Sequence, residues 1–382
     1  MPQLVVLVQN LMGVGHQRRA SAICEAAVQA GWQARLVSGG FPMRGFEPGE
    51  VDFVQLPPAR CPDLKFDRLV TPEGLEVDDA WRRARAQETL NAVISVRPDA
   101  VLIETFPFGR KLLRFELIPL LEHLHACAER PLVVSSIRDI IEYRPKFKKY
   151  AVMADAAATY FDAVLVHSDP RLVPLERTFP PFEAIQHLVH YTGFVHQTTE
   201  AGLSASARDE GEVLVSSGGG GYGLHVLEAA LAARPKTIAA ERTWRVLVGE
   251  NVDDTNFERL CRKASENVIV ERSRPDFQAL LRRACLSISQ GGYNTVMDLL
   301  TSRTPGVVVA YHDDTEREQL LRAEILAERN WIECVRNDEL STSILAAAIN
   351  RAAAMTVPSI DIQFDGAARS IEVLSQLLDA RR

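Results

Sequence analysis

A glycine pair and a histidine directly follow the first apolar run of the chain and form the first candidate site. The segment Gly13-Val14-Gly15-His16 lies between the apolar residues 4–8 and a helical pattern that contains Arg18. Glycines in such a strand–helix turn let a ligand approach the backbone, and the helix N-terminus that follows favours negative charge. An ordinary histidine has a pKa of about 6.5, which suits a general base. His16 is therefore a candidate base, with local packing or capping of its helix as the structural alternative.

A run of four glycines begins at Gly218, between another apolar run and another helical pattern. Consecutive glycines lose much chain entropy on folding, so a purely structural turn explains them poorly. Backbone N–H groups at a helix N-terminus can cradle a phosphate, and we predict this role for Gly218, Gly219 and Gly220. With Gly223 the run also satisfies the dinucleotide fingerprint, but the acid of that motif, Glu250, comes later than the usual spacing of about 20 residues.

Two further polar segments follow apolar runs in the second half. The first contains Gly291, Gly292, Asn294, Thr295 and, one turn into a predicted helix, Asp298. Glycines before a helix start are typical of an anion site, and a carboxylate can accept hydrogen bonds from two ribose hydroxyls. An acid in the first turn also complements the helix dipole, which is the structural alternative. The second segment contains Glu318 and Gln319, whose carboxylate and amide suit sugar hydroxyls or a solvated helix face.

The composition excludes several classes of protein. The chain has 382 residues and a formal net charge of −7, so it lacks the basic surface of a general nucleic-acid-binding protein. No apolar run reaches the roughly 20 residues of a membrane-spanning helix, and no signal-peptide pattern is expected at the N-terminus. The six cysteines contain no CxxC pair, which is typical of reduced thiols rather than of a disulfide or zinc framework. We therefore predict a cytoplasmic protein of two domains without a metal site.

Apolar runs rich in valine, leucine and isoleucine alternate with helical patterns in two series along the chain. This alternation predicts an α/β fold with two doubly wound parallel sheets. A polar segment rich in serine and alanine separates the two series. The expected organisation is an N-terminal Rossmann-like domain over 1–195, a linker over 196–211, a second Rossmann-like domain over 212–360, and a C-terminal helix over 361–382 that packs back on the first domain.

The second half resembles the nucleotide-sugar-binding domain of the GT-B glycosyltransferases. It is similar in particular to the family of the enzyme that adds N-acetylglucosamine to lipid-linked muramyl pentapeptide, and to the related predicted glycosyltransferases of family 28. The resemblance rests on the glycine loop 218–223, on the segment 291–298, and on Glu316-Arg317-Glu318-Gln319. In the first half, the segments 13–16 and 192–195 resemble the family's first glycine loop and its domain-crossing segment. The resemblance implies a GT-B fold, in which two Rossmann-like domains face a central cleft.

The resemblance also implies roles for individual residues. In that family the carboxylate at the position of Asp298 holds the ribose, and the pair at Glu318 and Gln319 holds the donor sugar. Main-chain atoms near Arg274 would read the uracil base. The residues expected on the acceptor side are Gly13, Gly15 and Arg18.

We therefore predict a hexosyltransferase that uses a nucleoside diphosphate sugar, with UDP as the expected nucleotide. The diphosphate would rest on the loop at Gly218 and on the helix that begins near Asn294, so fixed dipoles would replace a metal ion. His16 would take the proton of an acceptor hydroxyl, and the anomeric configuration would be inverted. Glu104 or Asp139, each near the carboxyl end of an apolar run, would orient His16 or act in its place. No cofactor is expected, and the acceptor, a small molecule or a lipid-linked glycan, stays open.

Three other functions stay open on the sequence alone. A nucleotide-sugar 2-epimerase shares the fold and the donor domain, and would turn over the nucleotide sugar without an acceptor. An NAD(P)-dependent oxidoreductase would use the glycine fingerprint over 218–223. A non-catalytic subunit would bind the nucleotide without turnover, and substitution of His16 would then change nothing.

Two segments of the first domain, 109–121 and 138–150, mix apolar and basic residues. In the related enzyme such a surface meets lipid. The sequence therefore predicts either a peripheral contact with the inner face of the membrane or an ordinary solvated surface.

Overall fold

The computed structural model describes most of the chain, as two compact units. The described residues are 1–11, 15–43, 45–63, 66–141, 147–196, 211–218, 223–249, 252–314, 316–358 and 361–381. The first unit comprises Met1–His196 and Ile362–Arg382, and the second comprises Gln197–Asp361. Three predicted site residues, Gly13, Gly219 and Gly220, lie outside the described residues, as do Glu250 and most of the segment 196–211.

The first unit is built on a sheet of seven parallel strands. The strands are β1 (Gln3–Val8), β2 (Gln33–Ser38), β3 (Asp52–Gln55), β4 (Ala100–Glu104), β5 (Leu132–Arg138), β6 (Ala163–His167) and β7 (Val189–Tyr191). Their order in the sheet is β3-β2-β1-β4-β5-β6-β7. The helices between them are α1 (Gly15–Gln29), α2 (Asp79–Ile94), α3 (Arg114–Ala126) and α4 (Phe147–Tyr160).

Both faces of this sheet are buried, which explains why β1 reads as one continuous apolar run. Leu4, Val6 and Val8 pack into one hydrophobic core, and Val5 and Leu7 pack into another. Successive side chains of a strand point to opposite faces, so helices on both sides of the sheet require apolar residues at every position.

The second unit repeats this plan with six parallel strands. The strands are β8 (Val213–Ser216), β9 (Trp244–Val248), β10 (Val268–Arg272), β11 (Leu286–Gln290), β12 (Gly306–Ala310) and β13 (Glu333–Arg336). The helices are α5 (Leu224–Ala233), α6 (Asp254–Lys263), α7 (Phe277–Arg283), α8 (Tyr293–Ser302), α9 (Glu318–Glu328) and α10 (Thr342–Ala353). The strand order is β10-β9-β8-β11-β12-β13.

In each sheet, the direction in which successive strands are added reverses at the first strand. The chain runs outward from β1 to β3 on one side and from β4 to β7 on the other, and β8 is flanked in the same way by β9 and β11. In open α/β sheets, ligands bind beyond the carboxyl ends of the strands at this switch point. The segments that follow β1 and β4 in the first unit, and β8 and β11 in the second, are therefore the expected ligand-binding segments.

The last helix, α11 (Gly366–Asp379), belongs to the first unit. Its residues Ile371 and Leu374 are buried in the same hydrophobic core as β1. The residues just before α11 pair with the residues that follow β7. There, the N–H of Phe194 donates to the carbonyl of Gln363 at 2.8 Å. The chain thus returns from the second unit to complete the first.

No helix in the described part of the chain is long and apolar enough to cross a membrane. Lys148 and Lys149, at the start of α4, are exposed, whereas Arg144 and Lys146 lie outside the described residues. Contact of this region with a membrane surface stays a prediction.

Candidate functional site

The switch point of the first unit brings His16 and Glu104 together. Glu104 is the last residue of β4, and His16 is the second residue of α1, which follows β1. β1 and β4 are hydrogen-bonded neighbours, with Leu7 opposite Ile103. Two residues that are distant in the sequence therefore meet at one point of the sheet edge, in the contact that the sequence predicted for His16 with either Glu104 or Asp139.

His16 is oriented by a hydrogen bond to Glu104. Its Nδ1 lies 2.9 Å from Oε1 of Glu104. Nη2 of Arg19 and Oγ1 of Thr105 each lie 3.3 Å from the same nitrogen, so the contact with Glu104 is the shortest of the three. An ionised carboxylate only accepts hydrogen bonds, and we therefore assign the proton to Nδ1 and leave Nε2 as the basic nitrogen. Nε2 makes no hydrogen bond within the described residues, and the side chain is 13% exposed. The arrangement leaves one imidazole nitrogen available to accept a proton.

Arg19 holds the Glu104 carboxylate in its ionised form. Burial alone would raise the pKa of Glu104, but the charge of Arg19 and the hydrogen bonds of His16 and Ser136 hold it well below its usual range. Arg19 is itself buried and pairs with Oε1 of Glu104. The carboxylate is therefore a permanent acceptor for His16 at neutral pH.

His16 itself is neutral. Burial, followed by the nearby Arg110 guanidinium, lowers the pKa of His16 to about 3. The ordinary pKa of about 6.5 expected from the sequence is therefore wrong for this side chain: the imidazole is uncharged and can accept a proton, but it is a weaker base than an ordinary histidine.

The other residues predicted for this site are placed differently. Gly15 begins α1, and Arg18 is exposed in the first turn of that helix. Asp139 is fully buried directly after β5. Of the two acids proposed to orient His16, Glu104 is the one that makes the hydrogen bond. Sequence reasoning missed Arg19, because an arginine in an exposed-looking helical turn gives no sign that it is buried against a carboxylate.

The switch point of the second unit brings Gly218 close to the start of α8. β8 and β11 are neighbours, with Ser216 opposite Ser289. Gly218 has a φ of +66°, which favours glycine, and a Cβ there would lie 3.7 Å from Oγ1 of Thr295. A Cβ at Gly249 would lie 2.6 Å from the carbonyl oxygen of Gly218. Glycine at position 249 thus allows the close approach of these two backbone segments.

The N-terminus of α8 is open to a ligand. Gly292 is the N-cap, so no side chain caps the helix, and a Cβ at this position would have no atom within 4 Å. The first N–H groups of a helix have no partner within the helix and carry a partial positive charge. Asn294 and Thr295 belong to this first turn. The geometry fits an anion at the start of α8, close to Gly218, whose own N–H donates to Oγ of Ser216 at 3.1 Å.

Asp298 lies on α8 and contacts α7. Its Oδ1 accepts a hydrogen bond of 2.8 Å from the side-chain amide of Gln278, and Asp298 is only partly buried. The predicted base-reading residue Arg274 lies between β10 and α7, where its guanidinium binds Asp276 at 2.8 Å. The side chain of Arg274 therefore forms an ion pair with an acid of its own loop.

Gln319 lies next to Gly291, in the turn before α8. A Cβ at Gly291 would lie 3.4 Å from both Cβ and Oε1 of Gln319. Its neighbour Glu318 accepts a hydrogen bond of 2.7 Å from the buried Arg322, whose guanidinium also lies 5.1 Å from the centre of the Tyr293 ring. The pair predicted to hold the sugar thus adjoins the predicted phosphate site.

No group of three or more histidine, cysteine, aspartate or glutamate side chains in the described ranges is arranged to hold a metal ion.

Comparison with known proteins gives a family match in the second half. Residues 218–357 match the glycosyltransferase family 28 C-terminal domain. A 120-residue segment is 30% identical to the UDP-N-acetylglucosamine--N-acetylmuramyl-(pentapeptide) pyrophosphoryl-undecaprenol N-acetylglucosamine transferase of Prochlorococcus marinus strain NATL1A, and the match covers 31% of this chain and 33% of that protein. The matched segment thus spans about a third of the relative's length.

Solved structures match over almost the whole chain. MurG of Acinetobacter baumannii superposes with a TM-score of 0.62 at 14% identity, covering 98% of this chain and all of that one. UGT89C1 of Arabidopsis thaliana, in complex with UDP-L-rhamnose, gives a TM-score of 0.60 at 14% identity over 99% of this chain and 98% of that one. These matches confirm the predicted α/β GT-B fold, and with the family match they confirm the predicted resemblance to family 28.

Proposed function

We propose that this chain, whose second unit matches the family 28 C-terminal domain, is a glycosyltransferase that moves a hexosyl group from a nucleoside diphosphate sugar to an acceptor hydroxyl. The observation that carries the proposal is the hydrogen bond from His16 Nδ1 to Glu104, which leaves Nε2 as a proton acceptor. An oriented neutral imidazole with one nitrogen unbonded among the described residues is what a general base for such a transfer requires. We take UDP as the nucleotide, because the Prochlorococcus relative is named for a UDP-sugar.

In the proposed reaction, Nε2 of His16 removes the proton from the acceptor hydroxyl. The hydroxyl oxygen attacks the anomeric carbon, and the bond from that carbon to the diphosphate oxygen breaks. The electron pair leaves with the nucleoside diphosphate, and a single displacement inverts the configuration. Glu104 stabilises the imidazolium that forms, because its carboxylate stays ionised in contact with Nδ1.

The second unit supports departure of the diphosphate in this proposal. The open N-terminus of α8 offers N–H dipoles to the charge that develops on the leaving group. Asp298 is assigned to the ribose hydroxyls, and Glu318 with Gln319 to the sugar. The acceptor is a molecule with a free hydroxyl, either small or lipid-linked.

Substitution of Gly292 is expected to weaken nucleotide binding without lowering the thermal stability of the protein. In Gly292→Asp the new side chain has room, because a Cβ there meets no atom within 4 Å, and it would cap the first turn of α8. The carboxylate would occupy the anion site, so we expect unchanged or slightly raised thermal stability and at least tenfold weaker binding of UDP. Calorimetric titration and thermal unfolding measure the two effects.

Gly292→Ala is the matched control, since it adds a Cβ without a charge and should keep the affinity for UDP near that of the wild type. If Gly292→Asp bound UDP as tightly as Gly292→Ala, the diphosphate could not lie at the start of α8.

Asp298→Ala is expected to weaken UDP binding by about 10- to 100-fold without unfolding the protein, because two hydrogen bonds to a charged acceptor would be lost. Asp254→Ala is the control, because Asp254 lies on α6 of the same unit and its side chain is 94% exposed in an ion pair with Arg272. Calorimetry on both variants decides the assignment, and equal affinities would remove Asp298 from the ribose site.

Release of UDP from UDP-N-acetylglucosamine tests the proposed function. The protein is incubated with this donor and a panel of acceptors that carry free hydroxyls, including a polyprenyl pyrophosphoryl muramyl compound, and products are identified by mass spectrometry. We expect acceptor-dependent UDP release and a product heavier by one N-acetylhexosamine. Turnover of the donor without any acceptor product, to an isomer of the nucleotide sugar, would instead identify an epimerase.

A further inference from the structure

A line of buried polar side chains runs from Glu104 across the carboxyl edge of the first sheet. Oγ of Ser136, on β5, lies 2.7 Å from Oε2 of Glu104. The same Oγ lies 2.8 Å from Nε2 of His167, the last residue of β6. Nδ1 of His167 lies 2.8 Å from Oγ1 of Thr192, which directly follows β7. Each of these side chains is buried, so no water competes for their hydrogen bonds.

The chemistry of the carboxylate assigns the protons of Ser136 and of Nε2 of His167. Oε2 of Glu104 can only accept, so the Ser136 hydroxyl donates to it. The Ser136 oxygen must then accept from His167, which places the proton of that imidazole on Nε2. Nδ1 of His167 is left to accept from the hydroxyl of Thr192. The two histidines on either side of Glu104 therefore carry opposite tautomers.

His167 is held neutral, as this line requires. Burial, followed by the charge of Arg19, lowers the pKa of His167 to about 3. Oγ1 of Thr192 also lies 3.2 Å from the carbonyl oxygen of Gly193, and we assign its proton to the shorter contact, 2.8 Å to Nδ1 of His167. The neutral form is thus the one that matches both neighbours.

The two oxygens of Glu104 have different partners. Oε1 accepts hydrogen bonds from His16, Arg19 and Thr105. Among the described residues, Ser136 is the donor to Oε2. A carboxylate with donors on one oxygen only could rotate about its terminal bond, and His16 would rotate with it. Ser136 is therefore placed to fix the plane of the carboxylate, and His167 is placed to keep the Ser136 hydroxyl turned toward it.

We propose that Ser136 and His167 are positioning residues that fix the orientation and tautomer of His16 through Glu104. This inference rests on the proposed role of His16 as the base. Neither residue needs to touch a substrate. Their removal should therefore lower the turnover rate and leave the affinity for the donor unchanged.

The strand β5 offers a matched pair of variants. Ser135 is also fully buried, but its hydroxyl donates to the main-chain carbonyl of Phe106 at 2.7 Å. We expect Ser136→Ala to lower kcat for UDP release from UDP-N-acetylglucosamine about tenfold, with KM unchanged, because a hydrogen bond to a charged group is lost. Ser135→Ala should lose similar thermal stability and keep kcat.

Two substitutions of His167 test whether turnover depends on its N–H donor or only on the space that its ring fills. His167→Gln retains an N–H donor near the position of Nε2 and should keep most of the wild-type kcat. His167→Met fills similar space without a donor and should resemble Ser136→Ala. Equal rates for Ser135→Ala and Ser136→Ala, or equal rates for the two His167 variants, would overturn the proposal.

Nitrogen NMR of the imidazole rings in the intact wild-type protein tests the line without any turnover. We expect a proton on Nδ1 of His16 and on Nε2 of His167 at neutral pH, with signals assigned from the single variants. A proton on Nδ1 of His167 would overturn the proposal whatever the kinetics show. If the tautomers are as expected but His16→Ala keeps the wild-type rate of transfer, the positioning role is overturned and the proposed function stands. If the wild-type protein itself transfers no sugar to any acceptor, the proposed function fails, and with it the positioning role in catalysis.

Discussion

Replacing His16 with alanine is expected to abolish sugar transfer and to leave donor affinity close to that of the wild type. The imidazole is the proposed proton acceptor, and general-base catalysis contributes typically 10²- to 10⁴-fold to a rate. The side chain lies in the first unit, whereas the residues proposed to bind the nucleotide lie in the second. Initial rates of UDP release, with calorimetric titration of UDP on the same samples, measure both effects.

His190→Ala is the control for this prediction. His190 lies on β7 of the same unit, and partial burial lowers its pKa as well, but β7 is the edge strand and lies away from the switch point. We expect this variant to keep the wild-type rate. A His16→Ala variant with the wild-type rate would remove His16 as the base, whereas a wild-type protein that binds UDP and transfers no sugar would favour a non-catalytic nucleotide-binding subunit.

Replacing Glu104 with glutamine is expected to reduce both stability and turnover. The substitution leaves the buried Arg19 without its counter-charge, which costs about 3–5 kcal/mol when one partner of a buried ion pair is removed. An amide can also donate to Nδ1 of His16, and the base would then switch to the unproductive tautomer. We expect kcat to fall by about 10²- to 10⁴-fold.

A second buried ion pair in the same unit separates these two effects. Oε2 of Glu116 lies 3.0 Å from Nε of Arg85, and both side chains are 2% exposed. Glu116→Gln should therefore lose comparable stability while transfer per folded molecule stays at the wild-type rate. Thermal unfolding and kcat of the two variants provide the comparison, and equal kcat values would show that Glu104 serves the fold alone.

Much of the fold could be predicted because buried parallel strands are apolar at every position. The runs that became β1, β4, β8 and β11 are recognisable in the sequence, and their order places the loops that follow them at two switch points. This is why His16 and Glu104, or Gly218 and Thr295, could be selected before their contacts were known.

Other elements could not be predicted, because their sequences carry little apolar signal. The helix α2 buries Arg85, Thr89 and Val93 along its length, so it reads as a charged surface segment. β3 has only partly buried or exposed residues at the edge of the sheet.

The polar partners of the site were missed for a different reason. Arg19, Ser136 and His167 acquire their roles from neighbours on other strands, and no spacing in the chain brings them together. A buried polar residue is identified by the group that satisfies it, and that group is visible only in three dimensions.

The central claim is that the second unit binds a nucleoside diphosphate sugar, and thermal unfolding with a ligand panel tests it most directly. The intact protein, Gly292→Asp and Asp298→Ala are each heated with UDP, GDP, TDP, ADP, NAD or NADP in the absence of added metal. A ligand that binds only the folded state raises the melting temperature. We predict that UDP raises the melting temperature of the wild-type protein and has a much smaller effect on both variants. Stabilisation by NAD or NADP alone would contradict the claim and assign the Gly218 loop to a dinucleotide.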